Sequence, residues 1–315
     1  MYVPIPMRKP LPIWVSQDTK SGDTKFVMFE HFETRSLAVN GVTINVVMKG
    51  NGPPLLLLHG YPQSHVMWHK IAPALAEHYT VVAPDLRGYG DSSKPEGDDQ
   101  HLTYSKRTMA ADQVAVMSAL GFDRFRIAGH DRGGRVTHRL CLDHPDRVIR
   151  AAVLDIIPTP EVFKRLNKLV ATAYYHWFFL IQPRGLPETL IGGNPEYYLR
   201  NIGAWGRADA FTPEAFAEYL RCFSNPACIH ATCEDYRAAA SIDLEHHTAD
   251  ADRKINCPLM VLWGEKALIG RIYDPVAVWR DYAMDVSGRG VASGHFLPEE
   301  APTETLAALL EFFAD

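Results

Sequence analysis

No apolar run in this chain is long enough to cross a bilayer, and no basic stretch, internal repeat or low-complexity tract interrupts it. A membrane-spanning helix is therefore not expected. The 32 basic and 37 acidic side chains leave a formal charge of -5, so a nucleic-acid backbone would not be bound by bulk electrostatics. Any anion must be held locally. Five cysteines, Cys141, Cys222, Cys228, Cys233 and Cys257, are an odd and scattered set, which fits reduced thiols better than a disulfide framework. Cys222, Cys228, His230 and Cys233 lack the paired C-x2-C spacing of a zinc site, and no metal is expected there. His65 and His69 lie four apart without the glutamate of a metalloprotease helix and read as surface or lid residues. Glu245-His246-His247 reads as a solvated boundary. No dinucleotide or phosphate fingerprint occurs, so no cofactor is expected. Met1-Tyr2-Val3-Pro4 opens without a basic segment and apolar core, which makes the cytoplasm the expected compartment.

What is present is the composition of an ordinary globular protein, 47% hydrophobic and 22% charged over 315 residues, enough for one large domain or two smaller ones. Short apolar runs alternate with helical spacing from about residue 40 to 157. Leu55–Leu58, Val81–Ala83, Phe125–Ala128 and Ala151–Leu154 read as buried parallel strands, and Met109–Leu120 as a helix between two of them. From 158 to 245 the strand runs vanish and aromatic helical material such as Tyr174–Phe179 replaces them. Leu259–Trp263 then restores the strand pattern, and Pro302–Phe313 reads as a closing helix. The expected architecture is an α/β core, residues 1–157 and 246–315, with an inserted helical cap, 158–245, over the strand ends.

Gly129-His130-Asp131-Arg132-Gly133-Gly134 follows a strand and opens a helix, the G-x-nucleophile-x-G form of a nucleophile elbow. The nucleophile position holds Asp131. A carboxylate attacks as the charged oxygen itself, which suits displacement at a saturated carbon or an epoxide. Leu58-His59-Gly60-Tyr61-Pro62 closes an earlier strand with a tight turn, where the Tyr61 N–H can join that of Arg132 as an oxyanion hole. Ser293-Gly294-His295-Phe296 supplies a histidine late in the chain, and Asp155 at the end of Ala151–Leu154 supplies an acid between the two, in α/β-hydrolase order. Glu265, beside the turn after Leu259–Trp263, is the competing acid.

His59-Gly60-Tyr61-Pro62-Gln63, Asp85–Ser92, Gly129–Gly133, Leu154-Asp155-Ile156 and Trp263-Gly264-Glu265-Lys266 together resemble the fluoroacetate dehalogenases of the α/β-hydrolase superfamily. The resemblance runs from about residue 26 to the C-terminus, leaving the first 25 residues without a reading. Arg directly after the nucleophilic Asp is its more specific feature, while Ala267 stands where the family pattern leads one to expect Gly. Arg132 and Arg135, three apart at the start of a helix, are candidates to grip a substrate carboxylate. The resemblance further implies a halide pocket of His176, Trp177 and Tyr236, whose ring N–H and phenol groups can donate to a departing fluoride. It also implies a homodimer.

The expected reaction is hydrolysis of a small anionic 2-halo acid, chiefly fluoroacetate to glycolate. An epoxide hydrolase using the same Asp131 is a second reading, with two of Tyr174, Tyr175, Tyr197, Tyr198, Tyr219 and Tyr236 donating to the ring oxygen. The arginine pair argues against it, because a neutral epoxide gains nothing from cations. A third is a non-catalytic receptor for small acids, which would have no use for Asp131, Asp155 and His295 together.

Overall fold

The computed structural model describes residues 28–202 and 210–314, so the N-terminal stretch that includes Met1–Pro4 lies outside the described residues. Eight strands form one sheet: β1 (Glu33–Val39), β2 (Val42–Lys49), β3 (Pro54–Leu58), β4 (Thr80–Pro84), β5 (Phe125–His130), β6 (Val148–Leu154), β7 (Leu259–Gly264) and β8 (Val286–Val291). Their order is β1-β2-β4-β3-β5-β6-β7-β8. The pairs β1–β2 and β2–β4 are antiparallel and every other pair is parallel.

Period-two alternation divides each central strand between two cores. Leu56, Leu58, Val82, Ala151, Val153, Leu259 and Val261 face one cluster; Leu55, Leu57, Val81, Ala83, Ala152, Leu154, Met260 and Leu262 face the other. Burial on both sides makes these strands read as unbroken apolar runs. The helix between β4 and β5 spans Lys106–Ala119, three residues earlier than its apolar spacing suggests. Ser105 caps it by accepting the Thr108 N–H.

Apart from a single β-bridge at Ile255, the described regular structure between β6 and β7 is helical, from Thr159–Lys164 through Pro226–Ala240 to Ile242–Ala249. The expected cap boundary at 245/246 falls inside Ile242–Ala249, so it is not a break in the chain's structure. His247 is also not solvated as expected: it packs 5.1 Å from the His138 ring, and burial takes its pKa down to about 4. Among the described residues, no helix is long and apolar enough to cross a membrane, and no histidine, cysteine and carboxylate cluster could hold a metal ion. All five cysteines are free thiols.

Strand β3 leads to β4 on one side while β5 lies on its other side, so the order reverses between β3 and β5. The carboxyl end of such a switch point opens a crevice. The helix Arg132–Asp143 enters it close against β3, where a Cβ on Gly133 would stand 2.4 Å from the His59 carbonyl oxygen and 2.5 Å from that of Leu58. Backbone atoms cannot yield as a side chain can. Gly133→Ala should therefore cost about 1–3 kcal/mol by overpacking, lowering the urea midpoint and turnover together; an unchanged midpoint would contradict so tight an approach.

Candidate active site

Asp131 sits between β5 and the helix Arg132–Asp143 at φ 47° and ψ -114°, a left-handed conformation that non-glycine residues rarely hold. The turn is sharp because Gly129 and Gly133 carry no side chain: a Cβ on Gly129 would meet the Gly133 carbonyl oxygen at 2.4 Å. This lifts the Asp131 carboxylate into the crevice. The Tyr61 N–H donates to its Oδ1 at 2.9 Å, and its Oδ2 stands 3.9 Å from His295 Nε2. The first is a hydrogen bond and the second is too long to be one. The second expected oxyanion donor, the Arg132 N–H, follows at the first position of the helix.

Asp155 leaves β6 at φ 51° and holds His295 Nδ1 with its Oδ2 at 2.6 Å, while its Oδ1 accepts the Gly264 N–H at 3.0 Å. This fixes the ring so that Nε2 faces Asp131. Glu265, the competing acid, is exposed and stands beside β8 at Gly290. Three further contacts pin the loop that carries His295. Both Glu300 oxygens accept N–H groups flanking the histidine, Gly294 at 2.8 Å and Phe296 at 2.9 Å. The third is His130 Nε2, which donates to the His295 carbonyl oxygen at 2.8 Å. Neither His130 nor Glu300 was singled out from the sequence. The only signals were adjacency to the nucleophile and a carboxylate five residues beyond the histidine.

Burial opposes the charge on Asp131, but His295, His130, Arg132 and Arg135 outweigh it and hold the carboxyl at about 2. For His295, burial favours the neutral ring, and the Asp155 hydrogen bond and charge, with Asp131 and Glu300, overcome it and raise the pKa above its ordinary value. His176 is pushed well down by burial and is neutral.

A small, largely enclosed cavity lies between Asp131 and the cap, and His176, Trp177 and Tyr236 line it together with Tyr61, Arg135, Tyr174 and His295. The aromatic rings interlock: Tyr236 lies 5.4 Å from His176 and 5.7 Å from Trp177, centre to centre. The Tyr236 hydroxyl is buried with no hydrogen-bond partner among the described residues. Of the other tyrosines considered, Tyr174 also lines the cavity and Tyr198 bonds the Tyr61 hydroxyl at 3.0 Å. Tyr175 and Tyr197 are exposed, and Tyr219 is engaged with Glu299.

The two arginines differ in a way their spacing does not reveal. Arg132 donates through Nε and Nη2 to Asp235 at 3.0 and 2.6 Å, so its charge is matched by a carboxylate on the cap helix Pro226–Ala240. Its Nη1 is buried with no hydrogen-bond partner among the described residues. Asp235 also receives Lys106 and the Tyr89 hydroxyl. Among the described residues Arg135 bonds only neutral oxygens, the Ile157 carbonyl at 3.0 Å and Thr159 Oγ1 at 2.9 Å, and it stacks 4.6 Å from the Trp177 ring centre. Burial and the like charge of Arg132 lower its pKa to about 10, which still leaves a cation at neutral pH. Asp235 was missed because its role exists only once the cap is seated on the core.

His65 and His69 are not surface residues: His65 Nδ1 lies 2.8 Å from Asp85 Oδ1, and His69 is buried with Nδ1 donating to the Val66 carbonyl oxygen. With Asp85 also accepting the Asp91 N–H and an Asn45 amide, they stiffen the loop that carries Tyr61.

A nucleophile elbow, an acid and a histidine at the carboxyl ends of a mostly parallel eight-stranded sheet define an α/β hydrolase, and the family model for the alpha/beta hydrolase fold matches residues 53–301. The chain belongs to that family. It is 47% identical over 291 residues to a fluoroacetate dehalogenase of Burkholderia sp., covering 91% of this chain and 96% of the relative. A soluble epoxide hydrolase of Corynebacterium sp. (strain C12) is 37% identical, covering 88% and 95%. The crystal structure of ALR0039 from Nostoc sp PCC 7120, described only at the level of an alpha/beta hydrolase, superposes with a TM-score of 0.90 at 62% identity, covering 91% and 99%.

The charges around His295 set its pH behaviour. Nε2 accepts a proton only when the ring is neutral, so a step that uses it as base slows as pH falls below its raised pKa. Asp155→Asn removes the largest influence raising that pKa and should move the acid limb of turnover to lower pH, while lowering the plateau. A limb that stays in place would assign it to another group.

Proposed function

We propose that this protein hydrolyses small 2-halo acids, chiefly fluoroacetate to glycolate and fluoride, through an ester of Asp131. The observation that carries the reading is Arg135: a buried cation, bonded to neutral oxygens, in the same cavity as the attacking carboxylate. A neutral substrate gives it no partner, whereas a carboxylate does. In the first step Asp131 Oδ2 attacks the carbon bearing the halogen, and the halide leaves with the bond's electron pair toward Tyr236, Trp177 and His176. Donors aimed at the developing halide act more strongly in the transition state than on the bound substrate.

In the second step His295 Nε2 takes a proton from water, which attacks the ester carbonyl of Asp131. The carbonyl oxygen of that ester is Oδ1, already bonded by the Tyr61 N–H at 2.9 Å. The oxyanion hole therefore serves the enzyme's own carboxyl group. As the tetrahedral intermediate collapses, His295 gives its proton to the departing alkoxide oxygen, which leaves as glycolate, and the regenerated Asp131 carboxyl, acidic at about 2, loses its proton to solvent. The similarity to a fluoroacetate dehalogenase supports the reading.

A second reading, an epoxide hydrolase, is favoured by Tyr174 and Tyr236 lining the cavity with Asp131 and by the similarity to a soluble epoxide hydrolase. Fluoride release from fluoroacetate, followed with an ion-selective electrode, separates the two. Arg135→Gln should cost about tenfold to a hundredfold in kcat/KM for haloacetates, the equivalent of about 1.5–3 kcal/mol for a charged hydrogen bond. Hydrolysis of a simple epoxide without any halide release, unaffected by Arg135→Gln, would overturn the haloacid reading in favour of the second.

A further inference from the structure

The catalytic dyad is approached from two sides. Besides the cavity over Asp131, a second cavity reaches Asp155 and His295, bounded by Leu169 and Ala173 of the cap helix Lys168–Ala173 and by Lys266, Leu268 and Arg271 of the loop and helix after β7. Asp155, Tyr174 and His295 line both spaces, so the two meet at the dyad with Tyr174 between them. The outer edge is divided in character. Leu169 is half exposed on the cap side, while Lys266 and Arg271 are exposed on the core side.

Neither cation has a salt-bridge partner among the described residues, in a chain whose surface arginines pair widely, as Arg35 does with Glu33 and Arg200 with Glu196. Lys266 follows Glu265 in the Trp263-Gly264-Glu265-Lys266 run, and the hydrolytic machinery uses neither side chain. Its place on the outer lip comes from the turn after β7, where the Lys266 N–H bonds the Ser293 carbonyl oxygen at 3.0 Å, just ahead of His295.

We infer that this second opening is the entrance for the anionic substrate, with Lys266 and Arg271 drawing carboxylates toward the dyad. The inference rests on the haloacid reading. The physical need is plain: an incoming anion meets a chain of formal charge -5 and, at the floor of the site, the carboxylates of Asp131 and Asp155. Cations on a cleft wall focus the field and raise the local concentration of anions, an effect that salt screens. Water would need no such wall. Arg135 then takes the carboxylate beyond Tyr174, so the anion passes from exposed cations to a buried one.

The test compares the parent with Lys266→Gln/Arg271→Gln, both exposed positions whose replacement leaves the core intact. Association of glycolate, followed by stopped-flow tryptophan fluorescence at low ionic strength, needs no chemistry and so reads the entrance even if no halide is released. The double variant should associate about threefold to tenfold more slowly, and its rate should respond less to added salt. In haloacetate turnover the loss should fall on KM, with kcat within about twofold of the parent. Ala173→Phe, which narrows the same passage without changing charge, should slow association at every salt concentration. Equal association rates and equal salt dependence in parent and double variant would overturn the entrance. A parent that binds glycolate with the expected charge dependence yet releases no halide would instead overturn the haloacid reading alone.

Discussion

On the proposed mechanism Asp131 attacks carbon, so its carboxylate has to remain ionised while shut away from water, and this requirement organises the site. Burial alone would raise the pKa of Asp131. His295, which faces one oxygen, together with His130, Arg132 and Arg135 holds its pKa at about 2 instead, and the Tyr61 N–H bonds the other oxygen. Tyr61 reaches the carboxylate from the end of β3 and His295 from beyond β8, while both arginines stand on the helix that follows Asp131 itself. The eight-stranded sheet matters to function because its switch point brings the ends of β3 and β5 together, with β6 and β8 supplying the dyad from the far side.

The same requirement explains the division between the arginines. Had both guanidinium groups lacked acidic partners, two buried cations would stand side by side at a heavy cost in desolvation and repulsion. Asp235 neutralises one of them and, because it stands on the cap, ties Pro226–Ala240 to the elbow helix Arg132–Asp143. Tyr236 is the next residue. Its ring sits 4.1 Å from the Arg132 guanidinium carbon, so the ion pair also steadies the ring in the cavity that Asp131 lines. Arg135 is left with its charge available to a ligand.

Much of this was legible in the sequence because the chemistry is carried by local motifs. Gly129–Gly133 marks the elbow, since only glycine permits backbone contacts as close as those at Gly129 and Gly133. The central strands were visible as apolar runs, being buried on both faces. The edge of the sheet was not: β1 reads Glu-Thr-Arg-Ser-Leu-Ala-Val with most residues exposed, and β8 is interrupted by Gly288 and Gly290, so neither forms an apolar run. Contacts between cap and core were equally hidden. Arg132 and Asp235 are 103 positions apart, and within the core His130 and His295 are 165 apart; nothing in residue type announces either pairing. The histidines at 65 and 69 were misread for the same reason, because their partners come from the loop after β4 and from the fold of their own turn.

The central claim is that Asp131 becomes an ester and that water attacks its own carbonyl carbon. One turnover in heavy-oxygen water, with enzyme in excess over fluoroacetate, tests it directly by mass spectrometry of the peptide containing Asp131 and of the glycolate released. If the claim holds, the heavy oxygen enters the Asp131 carboxylate and the first glycolate is unlabelled, its hydroxyl oxygen having come from the enzyme. Heavy oxygen in the first glycolate, with an unlabelled Asp131, would mean that water attacks the substrate carbon directly and would contradict the account.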